Sequence, residues 1–255
     1  MTALLDVQQL SKSYRKQTGL FRYRTVQALH DISFTLQSGK TLAIVGETGS
    51  GKSTLARLLV GIEKPDAGDI LLAGNTVTTS HYRQYNHTIR FIFQDAAKSL
   101  NPNQKIGQML DDVLRLNTVF DATQRAQKVR LTLKQLGLLN EHIDYYPHMF
   151  SGGQLQRVAL ARALILDPKL LILDEALTAL DPSLRAQIVN LLLELQQQSG
   201  LAYLLISNHL RLVRHIADDV LVLYQGKMLD YAPASEVFSN PQHDYTRKLI
   251  NSSQA

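Results

Sequence analysis

The sequence predicts an α/β fold with a mostly parallel sheet, and three observations support this prediction. Strand-like apolar runs alternate with helical runs of ten to fifteen residues, which is typical of crossovers between parallel strands. A glycine-rich loop joins the apolar run 41–45 to a helix-forming run, and a second apolar run, 170–173, ends on two acidic residues. At 255 residues, the chain fits one α/β unit or two small subdomains with a real core.

Composition limits the class of protein. The chain has 45% hydrophobic and 19% charged residues, as an ordinary globular protein does. No apolar run approaches the ~18 residues of a membrane span and no secretory signal is present, so we expect a cytoplasmic protein. The net charge of +5 comes from basic residues scattered among acidic ones, which favours a solvated surface over one that binds nucleic acid or membrane. The lack of cysteine excludes disulfides, thiolate zinc sites and iron–sulfur clusters.

The glycine-rich loop matches the pattern G-x-x-x-x-G-K-[ST]. It reads Gly46-Glu47-Thr48-Gly49-Ser50-Gly51-Lys52-Ser53, and Thr54 follows in the helix. Glycines let successive backbone N–H groups approach a polyphosphate, and the helix that follows points its positive end at the charge. We predict that Lys52 contacts the outer phosphates and that Ser53 places its hydroxyl on Mg²⁺. A chance glycine-rich turn is the alternative, but the flanking strand and helix favour phosphate binding.

The first part of the chain is expected to supply strands around this loop. Tyr14 precedes the loop and could stack on a purine ring, although spacing alone leaves this open. We predict an exposed hairpin tip over 15–25 and strands over 4–10, 31–36, 69–73 and 88–93, with a turn at 65–68.

The middle of the chain is predicted to be a helical insertion. Gln94 ends a strand, and the polar stretch 95–102 is predicted to be a loop. Val129, Leu133 and Leu136 then recur at helical spacing within a mostly helical stretch, 106–148.

A second helix start follows at Ser151-Gly152-Gly153-Gln154 and opens a helix predicted to continue through Leu166. As structure alone it is a capping box, with Phe150 and Leu155 placed as a hydrophobic staple. That account leaves the two glycines unexplained, since each costs a helix interior on the order of 1 kcal/mol relative to alanine. We therefore expect close backbone approach to a ligand, with an anion as the natural candidate.

The apolar run 170–173 delivers Asp174 and Glu175 to the carboxyl end of a parallel sheet, where ligands bind. Asp174 is predicted to hold Mg²⁺ through its water shell, and Glu175 to orient or deprotonate an attacking water. A solvated strand end is the alternative, but the phosphate loop earlier in the chain favours catalysis. Beyond this point we predict helices over 183–198 and 209–216, strands over 202–207, 220–224 and 227–231, and terminal helical turns over 234–255.

Taken together, these motifs resemble the ATP-binding cassette family, the nucleotide-binding subunits of ABC transporters. The resemblance runs from about Leu4 to Leu249, nearly the whole chain. The Walker A loop of the family corresponds to residues 46–53, the Q-loop to Gln94 and the signature to residues 150–154. Walker B corresponds to residues 170–174, the catalytic glutamate to Glu175 and the D-loop to residues 178–181, which include Asp181. Tyr14 corresponds to the aromatic residue that stacks on adenine.

Within the family, three stretches resemble the dipeptide and oligopeptide importer branch. They are Phe93-Gln94-Asp95, residues 99–102 and the tail Asn240-Pro241-Gln242-His243-Asp244-Tyr245-Thr246-Arg247. The stretch 145–148 and the tail also resemble one ATP-binding subunit of a peptide uptake system. Some relatives carry a C-terminal cysteine cluster, which this chain cannot form.

The resemblance implies an ABC ATPase fold with a P-loop NTPase core, N-terminal antiparallel strands and a helical insertion. It assigns residues 1–94 and 167–232 to the ATP-binding core, 95–166 to a helical subdomain with the signature, and 233–255 to a peptide-importer tail. It also implies ATP and Mg²⁺ as cofactors, with Ser53, Gln94 and Asp174 around the metal and Ser151 to Gln154 of one subunit completing the ATP site of another.

The implied partners are a second ABC ATPase subunit, in a homodimer or a heterodimer, and two transmembrane permease subunits that contact the Q-loop and the insertion. A periplasmic solute-binding protein takes part indirectly, and no direct contact with nucleic acid is expected. The implied location is the cytoplasmic face of the bacterial inner membrane.

The chain departs from the family at the switch histidine. The usual Ile-Ser-His-Asp reads Ile206-Ser207-Asn208-His209 here, and the stretch 213–216 keeps the register, so Asn208 takes the switch position. Asparagine can hydrogen-bond a phosphate but cannot become a cation. We hypothesise that this site turns over slowly, or that His209 reaches in after a local shift. A heterodimer with a second, more typical cassette would tolerate such asymmetry.

Two other functions compete with transport. A cassette protein that acts on nucleic acid or chromosomes usually has two cassettes, a coiled coil or cysteine zinc modules, and none is present in this sequence. A non-hydrolysing regulatory subunit is favoured by Asn208 and opposed by Glu175. Peptide import rests on the resemblance alone, because cargo selectivity lies in other chains.

Overall fold

A computed structural model of the chain describes residues 3–17, 23–77, 85, 87–93, 96–178 and 180–252. Within these ranges the strands are β1 (Leu5–Gln17), β2 (Tyr23–Leu36), β3 (Thr41–Val45), β4 (Ala67–Leu72), β5 (Asn75–Thr76), β6 (Ile89–Ile92), β7 (Leu170–Asp174), β8 (Ala202–Ile206), β9 (Asp219–Tyr224) and β10 (Lys227–Pro233). The helices are α1 (Lys52–Leu59), α2 (Ile106–Asn117), α3 (Ala122–Gln135), α4 (Gly152–Leu164), α5 (Pro182–Ser199), α6 (Leu210–Ile216), α7 (Ala234–Ser239) and α8 (Asp244–Ser252). Short 3₁₀ turns span Ala96–Ser99, Asn140–Asp144 and Pro147–Met149.

A six-stranded sheet in the order β10-β9-β3-β8-β7-β6 forms the centre of the molecule. All its neighbouring strands pair in parallel except β10, which runs antiparallel to β9. Every residue of β3 and β8 is buried, as expected of parallel strands that are covered on both faces. Because these strands run the same way, the residues that follow β3, β7 and β8 lie along one edge of the sheet.

The two faces of this sheet belong to two hydrophobic clusters. Leu170 and Ile172 of β7 pack with apolar residues of α1 and the N-terminal strands. Leu171 and Leu173 pack instead with apolar residues of α2, α4, α5 and α6. The sheet is therefore the middle of three layers, which fixes the edge that carries the polar residues.

The N-terminal strands form a second, antiparallel sheet in the order β2-β1-β4-β5. The hairpin tip predicted over 15–25 is too long, because its outer residues belong to the strands. They form the pairs Arg15↔Thr25, Lys16↔Arg24 and Gln17↔Tyr23. These residues are mostly exposed, so the ribbon lacks the alternating burial that would reveal strands in the sequence. The predicted turn at 65–68 is also shorter, since β4 begins at Ala67.

The helical insertion is confirmed, with two corrections. The stretch predicted to be a loop over 95–102 contains the 3₁₀ turn Ala96–Ser99, and Arg162 of α4 donates to Ser99 O at 2.9 Å. Helix α4 ends at Leu164 rather than Leu166. Asp167 has a left-handed φ of 50° and precedes Pro168. Both features prevent the helix from extending further.

Candidate functional site

The glycine-rich loop after β3 passes close to the backbone of its neighbours. Gly46 has a φ of +149°, and a Cβ placed there would lie 2.0 Å from Leu223 O of β9. Gly51 has a φ of +112°, and its Cβ would lie 2.6 Å from Ala28 O of β2. Since no side chain fits at either position, these two glycines are required by the path of the loop.

Lys52 is buried inside the loop, with 5% of its surface exposed. Its Nζ donates to Gly46 O at 2.6 Å and to Glu47 O at 2.9 Å. Burial lowers the pKa of Lys52, while the negative charges of Glu175, Asp174 and Glu47 act in the opposite direction. The loop thus holds the ammonium group of Lys52 near the carboxylates of Asp174 and Glu175 at the end of β7.

The first turn of α1 leaves hydrogen-bonding groups without an internal partner. Its N-cap residue, Gly51, is left-handed and supplies no side-chain cap. Among the described residues, the buried side-chain atoms without a hydrogen-bond partner are Ser50 Oγ, in this loop, and Thr178 Oγ1. Free amides and a buried hydroxyl at a helix N-terminus fit an anion with several oxygens, as a polyphosphate has.

Ser53, at the start of α1, lies close enough to Asp174, at the end of β7, to act on the pKa of its carboxyl group. Burial is the main cause that raises the pKa of Asp174, and the charge of Glu175 adds to it; Lys52, Ser53 and Arg57 oppose the shift. No group of three or more His, Cys, Asp or Glu in the described ranges could hold a metal. Mg²⁺ takes one or two carboxylates and completes its shell with phosphates and water, so Ser53 and Asp174 fit Mg²⁺ that arrives with a nucleotide.

Glu175 follows Asp174 in a left-handed conformation, with a φ of 51°. Such a conformation costs a non-glycine residue about 1–3 kcal/mol. The N–H of Glu175 donates to Ile206 O of β8 at 2.9 Å, and its Oε1 accepts from Asn208 Nδ2 at 3.3 Å. The neighbouring strand therefore holds Glu175 on both its main chain and its side chain.

Of the two residues weighed for the switch position, Asn208 contacts Glu175 and His209 does not. The Nε2 of His209 lies 2.8 Å from Nη1 of Arg185, and its Nδ1 lies 3.1 Å from the N–H of Leu212. Arginine has only donors and a neutral imidazole has a single acceptor nitrogen, so Nε2 accepts from Arg185. Leu212 still has an acceptor in His209 O. The ring of His209 is thus engaged away from Glu175.

Arg185 also organises the segment after Glu175. Its guanidinium donates to the carbonyl oxygens of Leu177, Thr178 and Leu180, at 3.0, 3.2 and 2.7 Å respectively. Asp181 caps α5, with Oδ1 accepting from the N–H of Leu184 at 3.0 Å. Within this chain Asp181 is a helix cap. The sequence analysis missed Arg185, whose only signal was a basic residue in the first turn after a cap.

The capping box predicted at the second helix start is confirmed. Ser151 Oγ accepts from the N–H of Gln154 at 3.3 Å, and Gln154 Oε1 accepts from the N–H of Ser151 at 3.0 Å. A Cβ on Gly153 would meet Leu184 of α5 at 2.8 Å, whereas a Cβ on Gly152 would meet nothing within 4 Å. Gly152 is therefore not required by packing inside this chain.

The two remaining candidates lie apart from this geometry. Tyr14 Oη donates to the carboxylate of Glu63, and its ring lies 5.7 Å from Lys12 Nζ. Gln94 lies outside the residues that the structure describes. The residues that the structure joins by contacts or local charge effects are Gly46, Glu47, Lys52, Ser53, Asp174, Glu175 and Asn208.

The fold and this polar edge define an ATP-binding cassette, and the sequence comparison agrees. The profile of the ABC transporter family matches residues 29–178, which is more than half of the chain. The chain belongs to the ABC transporter family, as one of its ATP-binding, ATP-hydrolysing subunits.

Three curated relatives cover almost all of the chain. SapF of Escherichia coli K12, described as the ATP-binding protein of a putrescine export system, is 47% identical over 247 residues, 97% of this chain and 92% of SapF. SapF of Salmonella typhimurium, described as a peptide transport ATP-binding protein, shares the same identity and coverage. DppF of Pseudomonas aeruginosa, a di/tripeptide transport ATP-binding protein, is 47% identical over 259 residues, 100% of this chain and 80% of DppF.

Solved structures share the fold. CbiO1 of Clostridium perfringens, part of the ABC transporter complex CbiONQ, superposes with a TM-score of 0.81 and 29% identity, covering 94% of this chain and 92% of CbiO1. The cassette MJ0796, a dimer in a post-hydrolysis state bound to ADP and Pi, gives a TM-score of 0.77 at 22% identity, covering 90% of this chain and 98% of MJ0796. In the described parts of this chain, no helix is long and apolar enough to cross a membrane.

Proposed function

We propose that this chain hydrolyses ATP to energise a peptide-importing ABC transporter. One observation carries the proposal. A buried lysine, two carboxylates and an amide side chain, Lys52, Asp174, Glu175 and Asn208, converge beside a helix start that has no internal cap. This arrangement supports phosphate binding by the lysine and the helix start, and activation of water by a carboxylate beside them.

The roles follow from the chemistry of each group. The free main-chain amides between Gly46 and Thr54 and the ammonium of Lys52 bind the phosphates, whereas the N–H of Glu47 is engaged by Tyr245. Ser53 and Asp174 would hold Mg²⁺, with Gln94 as a further proposed ligand, and the ion supplies charge neutralisation on the phosphate oxygens when bound. Glu175 orients the attacking water and accepts its proton.

The ATP site is proposed to be completed by a second cassette. The turn from Ser151 to Gln154 of one subunit would contact the phosphates bound by the other, and Asp181 would lie at the same interface. Gly152 supports this proposal, because no contact with the described residues explains why it lacks a side chain. The dimer of MJ0796 gives a precedent for paired cassettes of this fold.

The partners in the membrane are proposed on the same basis. We assign residues 1–94 and 167–232 to the ATP-binding core, 95–166 to a helical subdomain and 233–255 to a tail. The helical subdomain would contact two permease subunits at the cytoplasmic face of the inner membrane, and a periplasmic binding protein would deliver the cargo to them.

Tyr14 is proposed to stack on adenine.

Peptides are the proposed cargo because the names of SapF in Salmonella and of DppF describe peptide or dipeptide transport. The name of SapF in Escherichia coli K12 describes putrescine export instead. Uptake of a labelled dipeptide and export of labelled putrescine by the assembled transporter, each measured with and without ATP, separate the two. ATP-dependent movement of putrescine alone would overturn the peptide assignment.

The experiment for hydrolysis is the substitution Glu175→Gln. A general base contributes about 10² to 10⁴ in rate, so turnover should fall by that factor while ATP binding and ATP-dependent dimerisation persist. Lys52→Ala should instead lose ATP binding. Unchanged hydrolysis in the Glu175→Gln protein would refute the assignment of Glu175.

A non-hydrolysing regulatory subunit is the second candidate, and Asn208 is the observation that favours it. Asparagine cannot supply the cation that a histidine can supply at the end of β8. The same Glu175→Gln protein discriminates between the two functions. An ATPase should trap ATP and dimerise after this change, whereas a passive sensor should behave as before.

A further inference from the structure

The C-terminal helix α8 reaches the start of the phosphate loop. Tyr245, the second residue of α8, accepts a hydrogen bond at its Oη from the N–H of Glu47 at 3.0 Å. The two residues are 198 positions apart in the chain. This contact gives a role to the tail motif 240–247, which none of the site chemistry described above explains.

Several contacts fix the position of Tyr245. The next residue, Thr246, is fully buried and donates from Oγ1 to the carboxylate of Asp230 on β10, which is also buried. The ring of Tyr245 lies against the ring of Tyr224, with centroids 4.2 Å apart. Further along α8, Ile250 packs into the hydrophobic core. The Thr246–Asp230 hydrogen bond, the ring of Tyr224 and the packing of Ile250 therefore fix the position of the Tyr245 hydroxyl.

Tyr245 completes a set of contacts that hold the loop on its outer side. Glu47 donates its N–H to Tyr245, and its carbonyl oxygen accepts from Lys52. At the other end of the loop, the N–H of Gly226, in the turn between β9 and β10, donates to Ser50 O at 2.9 Å. These bonds use main-chain groups at the ends of the loop and hold it in the conformation described above.

We propose that Tyr245 is a positioning residue that fixes the phosphate loop, so that the C-terminal tail sets the affinity of the site for ATP. The inference rests on the proposed function of this loop as the ATP-phosphate site. Tyr245 touches neither the phosphates nor the attacking water in this account, and it acts through the Glu47 peptide alone. Burial raises the pKa of Tyr245, so its phenol stays neutral at physiological pH.

The test compares Tyr245→Phe with Tyr224→Phe. The first removes the hydroxyl that accepts from Glu47 and keeps the ring pair, whereas the second removes the neighbouring hydroxyl, which accepts from exposed Gln225. Loss of one hydrogen bond should weaken ATP binding by the full-length protein about two- to tenfold. In the assembled transporter, KM for ATP should rise with kcat unchanged, and Tyr224→Phe should behave as wild type.

Hydrogen–deuterium exchange of the nucleotide-free protein gives a readout that does not depend on ATP. Amides from 47 to 51 should exchange faster in Tyr245→Phe, while the thermal midpoint should fall by no more than the ~2–4 °C that the loss of one hydrogen bond causes in a chain of this size. Wild-type exchange and ATP affinity in this variant, or an equal loss in Tyr224→Phe, would overturn the inference. If wild type and Lys52→Ala showed the same absence of ATP binding, the proposed function would fail, while exchange would still decide the role of Tyr245.

Discussion

The two glycine-containing helix starts of this chain are built in opposite ways. At α1, Gly51 supplies no cap, and the loop is held by Tyr245 and by the β9–β10 turn, which come from the far end of the sequence. At α4, Ser151 and Gln154 cap each other within four residues. The first start is shaped by the whole fold and leaves its helix without a side-chain cap. The second is complete locally and keeps an open surface beside Gly152.

In the proposed pair of cassettes, this difference separates the half of the ATP site that one chain makes alone from the half that a second chain would add. A phosphate-binding half needs free donors held rigidly, and rigidity here comes from long-range contacts. A half that docks onto another subunit needs an exposed turn that holds its shape without support. The predictions below test this contrast, beginning with the largest effect.

The largest effect is expected for Gly46→Ala. The added Cβ would lie 2.0 Å from the carbonyl oxygen of Leu223, at a φ that L residues rarely adopt. We expect the free energy of unfolding to fall by about 3 kcal/mol or more. Urea unfolding of the nucleotide-free protein measures it. A stable Gly46→Ala protein would show that the loop is not shaped by its neighbours.

The same substitution at the other helix start should have the opposite effect on stability. Gly152→Ala meets no atom within 4 Å and should raise the free energy of unfolding by about 0.4–1 kcal/mol. In the assembled transporter we expect hydrolysis to fall about tenfold or more, because the methyl group stands where phosphates of the partner site would approach. ATP binding by the isolated chain is the control and should not change. Normal hydrolysis would contradict the proposed interface.

A smaller effect is expected at the end of β8. In Asn208→His the new side chain can carry a proton, and a charged donor gains about 1 kcal/mol over a neutral one, so turnover should rise about fivefold. ATPase activity of the assembled transporter measures it. His209→Ala is the companion variant and should loosen the segment held by Arg185. If neither variant altered turnover, both explanations of the displaced histidine would be wrong.

The smallest effect concerns the carboxylate of Asp174. Its pKa is raised by burial, so the stability that its protonated form contributes is present below about pH 4 and is lost as pH rises through the folded-state pKa. Asp174→Asn should therefore raise the thermal midpoint of the nucleotide-free protein at pH 7 by on the order of 1–3 °C, with no gain below pH 4. Thermal scans at the two pH values check this. A lower midpoint at pH 7 would mean that attraction to Lys52 outweighs the burial of Asp174.

Much of the fold follows from local patterns. The buried strands β3, β7 and β8 appear in the sequence as short apolar runs, and the polar residues after them fall on one edge because parallel strands share direction. The capping box of Ser151 was also predictable, because all the residues that form it lie within four positions of the sequence.

The rest of the site depends on contacts between distant residues. No spacing connects Tyr245 with Glu47, or Gly226 with Ser50, because sequence periodicity carries no information about which segments meet across a sheet edge. Arg185 was missed because its acceptors are main-chain carbonyls, which every residue has. The sequence predicted β1 and β2 to be shorter than they are, because both faces of the ribbon that they form are exposed to solvent and its residues show no alternating burial.

The hydrogen bonds of Arg185 have a mechanical consequence. The guanidinium links the carbonyls of Thr178 and Leu180 to the ring of His209, which directly follows Asn208. Any rearrangement that draws the end of β8 inward must therefore break these hydrogen bonds or pull Thr178 and Leu180 with it. A single arginine thus couples displacement at Asn208 and His209 to displacement of Thr178 and Leu180.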